Sequence, residues 1–253
     1  MHHDFLDKYS HLNSRVHSID PRVKIIGFFS FIFFVIFTSP TEFQKFYFYF
    51  LLMFSIIVIS KVPLAFIFKR SLVVIPFVLL VAIFIPFLKE GEVMGSYSFG
   101  SLEFAITYQG ILIFFNVLIK SWLSVLSMIT LVSTTPFPQL LKGFERLKIP
   151  KVMVMIISFM YRYLFILADE IMGLKTARDA RAAGNHGRLW HIKTIGDIIG
   201  TLFIRSYERG ERVYAAMLSR GFDGRIKTLD DFNIKRFDVF FLVLTFLILI
   251  LIF

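Results

Sequence analysis

Cysteine is absent from all 253 residues, which excludes a disulfide framework and any thiolate-held metal. Acidic residues are scarce, with 18 Asp and Glu against 28 Lys and Arg. The resulting net charge of +10 is spread too thinly along the apolar half to suggest nucleic acid. It suits loops at the cytoplasmic face of a membrane better. No G-x-x-x-x-G-K-[ST] stretch occurs, so binding of a nucleotide triphosphate through a P-loop is excluded. H-E-x-x-H is missing too, and no Ser/His/Asp constellation can be assembled. These absences leave a membrane enzyme open but name no chemistry for it. The opening "MHHDFLDKYSHLNSRVHSID" holds no apolar h-region, so a cleaved signal peptide is not expected. No inverted repeat marks a stand-alone secondary carrier. A membrane-bound lipid enzyme would need acid/base pairs inside its spans, and Lys120 is the one charge well inside a clean apolar run.

Apolar residues dominate instead. They make up 57% of the chain, and Phe alone occurs 33 times, more than a soluble core of this length needs. Apolar runs lie at about 25–39, 46–60, 71–88, 110–133 and 237–253. A span takes roughly 20 apolar residues, so the first two borrow from their flanks. The runs are continuous rather than alternating, and only helices satisfy their own backbone in lipid. The expected fold is an all-α integral membrane protein with about five transmembrane helices. Residues 1–133 hold the N-terminal arm and four spans, 134–236 a cytoplasmic region, and 237–253 the last span.

Loop charge sets the orientation. The arm carries Lys8, Arg15, Arg22 and Lys24, and the 61–70 loop carries Lys61, Lys69 and Arg70. The 89–107 loop sets Lys89 against Glu90, Glu92 and Glu103. The positive-inside rule puts the arm and the 61–70 loop in the cytoplasm and 89–107 outside. Residues 134–236, with 18 Lys and Arg against 10 Asp and Glu, fall inside, and the C-terminus outside.

Two long helices are expected in that cytoplasmic region, over 152–182 and 191–219. The first begins apolar, but a full span there would bury Arg162 near its centre at about 2.5 kcal/mol or more. It reads instead as an amphipathic helix lying against the membrane part, interrupted by Arg162, Asp169 and Glu170. Each helix closes on an arginine among small residues: Ala180, Arg181 and Ala182 in the first, Ser219, Arg220 and Gly221 in the second. Cations at helix C-termini are ordinary. The small neighbours are not explained that way. They let a helix end come close to another surface while the guanidinium offers its donor fork. Two such plugs suit a partner with two similar grooves, such as a two-fold dimer.

Three further residues are candidates for a structural or coupling role: Lys120, Arg162 and Glu170. Lys120 either serves function inside its span, or snorkels toward the interface, or pairs with Asn116, one turn away, to hold helices together. His3, behind Met1 and His2, has the spacing for an amino-terminal Ni(II) or Cu(II) site. An ordinary polar tail is the favoured reading, and no metal site is assigned.

Four stretches together resemble the transmembrane T component of energy-coupling factor (ECF) transporters, most closely its cobalt-type CbiQ group. They are "HSIDPRVK" (17–24), "LVSTTPFPQLLKGFERLKIP" (131–150), "YRYLFILADEI" (161–171) and "IRSYERGERVYAAMLSRGFDG" (204–224). The resemblance runs over nearly the full length. It implies two ABC-type ATPase subunits (CbiO-like) as partners, each with a groove for one X-Arg-X motif. Arg181 and Arg220 match the two motif positions. Ala182 stands where the family often has glycine, which leaves Arg178 as a rival for the first. The resemblance also implies a substrate-capture membrane protein (CbiM-like, alone or with a CbiN-like small subunit) and location in the inner membrane. ATP and Mg would sit on the ATPases, with no cofactor on this chain. The implied cargo is cobalt, with nickel or a vitamin such as biotin as alternatives.

Overall fold

Asp20 and Pro21 start the first helix. The Asp20 carboxylate accepts the Arg22 backbone N–H at 2.9 Å, and proline at the first helical position needs no hydrogen bond of its own. The computed structural model describes residues 9–10, 12–88, 92–99, 102–181, 187–224 and 234–253. From that cap α1 runs over Pro21–Phe37, and α2 follows over Phe43–Ser60. Both begin upstream of the strict apolar runs, borrowing the flanks that spanning length requires.

The third run, expected over 71–88, belongs to a longer hydrophobic path that begins at Leu64, so most of the expected 61–70 loop is helical. The path comes in three helical pieces: α3 (Leu64–Leu72), α4 (Ile75–Ala82) and α5 (Ile85–Leu88). Pro76 and Pro86 fall just inside the second and third pieces, and a proline ends the helix before it by removing a donor and crowding the preceding turn. A β-hairpin follows, with β1 (Val93–Phe99) antiparallel to β2 (Leu102–Thr107), in the loop expected outside the membrane. Thr107 then caps α6 (Tyr108–Thr134), its hydroxyl accepting the Gly110 N–H at 3.3 Å. Gly110 is small by necessity: a Cβ there would lie 2.6 Å from the Pro86 Cα.

Chain order ends with α7 (Phe137–Arg146), α8 (Lys151–Arg181), α9 (Arg188–Ser219) and α10 (Arg236–Ile252). The molecule divides into two compact units, one holding α8 and α9, the other α1 to α6 and α10. In the latter, α6 packs on α1, α2, α3, α4 and α5, while α10 covers α1. Ile57, Val62, Ile67 and Leu126 form a core cluster there. Trp122 of α6 stacks on Phe50 at 5.8 Å, and its indole N–H donates to the Ser71 hydroxyl at 3.1 Å.

The chain is an all-α integral membrane protein, the hairpin being its one sheet among the described residues. Four helical stretches are long and apolar enough to cross a membrane: α2, the α3–α5 path from Leu64 to Phe87, α6 and α8. At 17 residues each, α1 and α10 stand at the lower limit for a span, roughly 17 residues. Length and composition put α8 in the spanning class, and it carries Arg162 well inside that length.

Candidate functional site

Helix ends decide how the two arginines are presented. Arg220 is the C-cap of α9, followed by Gly221 at φ +76°. The Gly221 N–H donates to Leu218 O at 3.0 Å and the Phe222 N–H to Met217 O at 3.1 Å. That pair of bonds is a Schellman closure, and its left-handed position is the one glycine fills without strain. Gly221 thus has a local backbone reason to be small. Ser219 donates its hydroxyl back to Ala215 O at 3.0 Å, so its polar atom is used within the helix. Arg220 is exposed, and among the described residues its guanidinium has no acidic partner.

Arg181 is the last residue of α8, exposed beside exposed Ala180. Ala182 lies outside the described residues. The rival Arg178 is engaged by its own neighbour, with Nε and Nη2 donating to Asp179 Oδ1 at 2.8 and 2.6 Å. Of the two, Arg181 has the fork to offer. Glu170 ties α8 to α9, with Arg209 Nη2 2.8 Å from Oε2 and Arg205 Nη1 3.5 Å from Oε1. Glu170 lies eleven residues before Arg181 (181 − 170), and Arg209 eleven before Arg220 (220 − 209). The tie is therefore about 16 Å along each helix from its terminal arginine. Arg162 is exposed on α8, and Glu208–Arg212 forms the expected surface pair at 3.6 Å. Apolar side chains of α9 recur on one stripe and are left uncovered, among them Ile192, Ile195, Ile199, Phe203 and Tyr207.

The membrane unit has its own polar centre, assembled from three distant segments. Thr135 precedes Pro136, which holds it extended at φ −142° and stops α6 at Thr134. The freed Thr134 carbonyl accepts from Lys24 Nζ at 2.9 Å, with His17 O at 3.1 Å and Thr135 Oγ1 at 3.2 Å as its other acceptors. Lys24 has no exposed surface, and its three N–H donors meet three acceptors. Nearby, Asp20 takes Arg22 Nε and Nη2 at 3.0 and 2.8 Å, while its own N–H donates to Asp238 Oδ1 at 3.2 Å. Asp238 in turn accepts the Lys235 N–H at 2.8 Å, capping α10. The arm, α1, the end of α6 and the start of α10 are thereby pinned together. Sequence reasoning had the "HSIDPRVK" and "TTP" segments side by side as a resemblance but not as a contact.

His17 is held neutral. Burial lowers its pKa most and the nearby Lys24 charge lowers it further, against the raising effect of the Tyr9 and Ser133 backbone contacts. Its Nε2–H donates to Tyr9 O at 3.0 Å, and Nδ1 lies 2.7 Å from the Ser14 hydroxyl. Lys120 does not pair with Asn116. It donates to Ile36 O and Thr38 O at 2.8 and 2.7 Å, satisfying orphan carbonyls at the end of α1. The Asn116 amide nitrogen is buried without a partner. His2 and His3 lie outside the described residues. Among the described ones no group of three or more His, Asp or Glu is placed to hold a metal ion.

Comparison with known proteins bears on this arrangement. The CbiQ family, described as cobalt transport protein, matches residues 13–229. An uncharacterized protein of Methanocaldococcus jannaschii is 29% identical over 253 residues, covering 96% of this chain and 84% of that protein. The energy-coupling factor transporter transmembrane protein EcfT of Macrococcus caseolyticus is 27% identical over 228 residues, 87% of this chain and 84% of its own. The cobalt transport protein CbiQ of Rhodobacter capsulatus is 31% identical over 99 residues, 39% of this chain and 40% of its own.

Proposed function

The chain belongs to the CbiQ cobalt transport protein family, and from that premise we propose that it is the coupling subunit of an ATP-driven importer. In this reading it does no chemistry. Two ABC-type ATPase subunits bind and hydrolyse ATP with Mg, and a separate membrane protein captures the cargo. The observation that carries the proposal is the matched pair of helix ends. Arg181 and Arg220 each close a helix of more than thirty residues, are exposed, and lack an acidic partner among the described residues. Glu170 sets both the same distance from the point where the helices are tied.

A rigid pair of levers suits this task. Closing of an ATPase dimer moves the two grooves, and helices tied at one point carry that motion along their length. The uncovered apolar stripe of α9 gives the captured-cargo protein a surface to ride on. Cobalt is the cargo that the family description favours, and specificity is assigned to the capture subunit. Nickel and vitamins are the competing cargoes.

The absence of cysteine makes a clean test available. Ala180→Cys and Ser219→Cys each place a single thiol beside one arginine. Each is expected to cross-link to an ATPase subunit in the assembled complex, while a thiol at Ile36, in the membrane unit, is not. ATPases that co-purify yet cross-link from neither position would overturn the assignment.

A further inference from the structure

An apolar cleft of about 450 Å³ opens between α2 and α10. Phe48, Leu51 and Ser55 line one wall, and Phe241, Leu244 and Ile248 the other. The two hydroxyls in these walls are already used: Ser55 donates to Leu51 O and Thr245 to Phe241 O, each at 2.8 Å. Along the α2 and α10 walls no side-chain hydroxyl is left to receive a hydrophilic solute. From Phe48 to Ile59 the lining runs eleven residues, about 16 Å. That matches one leaflet of a bilayer, half of a hydrocarbon core of about 30 Å.

At the end where the arm crosses α2, the cleft changes character. Arg15 and Ile59 line both it and a second, polar pocket of about 890 Å³. Lys61, His17, Ser14, Ser18 and Gln139 face this second space, and among the described residues no carboxylate lines it. Neither Arg15 nor Lys61 has an acidic partner among the described residues. One comes from the arm and the other from the turn after α2, so the fold brings two cations to the mouth of a hydrocarbon-lined cleft. Cations alone at a membrane face would be the ordinary charge bias. Their continuity with an apolar cleft is not.

We propose that this composite cavity binds one anionic phospholipid. Its phosphate sits between Arg15 and Lys61, and one acyl chain lies between α2 and α10. The inference is independent of the coupling role, since none of these residues belongs to α8 or α9. The lipid would wedge the arm, α2 and α10 together where the helices alone leave space.

The test uses the full chain in nanodiscs of phosphatidylcholine doped with a phosphatidylglycerol that carries a photoreactive acyl chain. Cross-links are expected to concentrate in 48–59 and 240–252. Excess unlabelled phosphatidylglycerol should compete, and added phosphatidylcholine should not. Arg15→Gln with Lys61→Gln should cut labelling roughly 25-fold, each surface cation being worth roughly fivefold toward an anionic lipid. Ser55→Phe fills the chain end while leaving both cations, and should abolish the concentrated labelling. The two variants act at opposite ends, so a folding defect in one leaves the other to decide. Labelling spread evenly around the lipid-facing helices and unmoved by either variant would mean annular lipid only, and would overturn the proposal. Competition by inorganic phosphate, or displacement of the label by a partner subunit's chain, would overturn it as well.

Discussion

Lys24 is a cation with no exposed surface in the membrane unit, and two of its three bonds reach residues more than a hundred positions away. Truncating it leaves two carbonyls and a hydroxyl without a donor. Lys24→Met should therefore destabilise the membrane unit by about 3 kcal/mol or more, at ~1–3 kcal/mol for each of the three stranded polar groups. A thermal melt in detergent measures this. Lys24→Arg should rescue poorly, because a planar fork needs more room than a compact ammonium. His17 adds a pH dependence at the same place. Its folded pKa lies below the unfolded value of about 6.5, so the unfolded state takes up the proton first. Stability from this residue is complete above that value and falls as pH drops below it, toward the folded pKa. Melting temperature should decline from pH 7.5 to 5.5, and His17→Gln should flatten the decline. Neither role was legible in the sequence. Lys24 and Arg22 read as orienting charges, and nothing in a separation of 110 residues announces that Lys24 meets Thr134. Lys120 was legible as a cation out of place, yet its partners proved to be carbonyls of α1 rather than Asn116.

At the scale of elements, periodicity and apolar run length carried most of the information. The expected 152–182 and 191–219 helices are α8 and α9 to within a few residues, because long periodic stretches leave little choice. The 71–88 run was harder. Its composition is uniform, but Pro76 and Pro86 divide the path into α3, α4 and α5. The hairpin was missed altogether. Its signal was present as alternation in "MGSYSF" and "LEFAIT" around a Gly-Ser pair, and acidic loop charge drew attention away. The Schellman end of α9 gives a prediction at this scale. Gly221→Ala forces a Cβ into a left-handed position at a cost of about 1 kcal/mol. Amide hydrogen exchange over 217–222 should accelerate, while exchange near Glu170 stays unchanged. Slow exchange at both places in the variant would mean that Gly221 does not set the end of α9.

For the whole molecule, the sequence supplied the membrane class and the division of labour between apolar and charged segments. It did not supply the tie at Glu170, since no pattern in either helix reveals which face meets the other. Topology follows from the loop charges. A reporter active only outside the membrane should be active when fused after Phe253 and silent when fused after Gly187. The reverse pattern would make α8 a true span. The central claim, that two arginines each fill a groove on an ATPase, is tested most directly by co-purification. ATPase subunits would be recovered from detergent at fixed salt with Arg181→Ala, Arg220→Ala, both together, and Arg178→Ala. Losing a charge-assisted contact with its partner left buried costs about 2–5 kcal/mol. One remaining arm keeps the second groove at a raised local concentration. Each single variant should therefore weaken recovery, and the double should lose the ATPases nearly completely while still inserting in the membrane. Arg178→Ala, whose fork is already held by Asp179, should be mild. Full recovery and full uptake in the double variant would contradict the account.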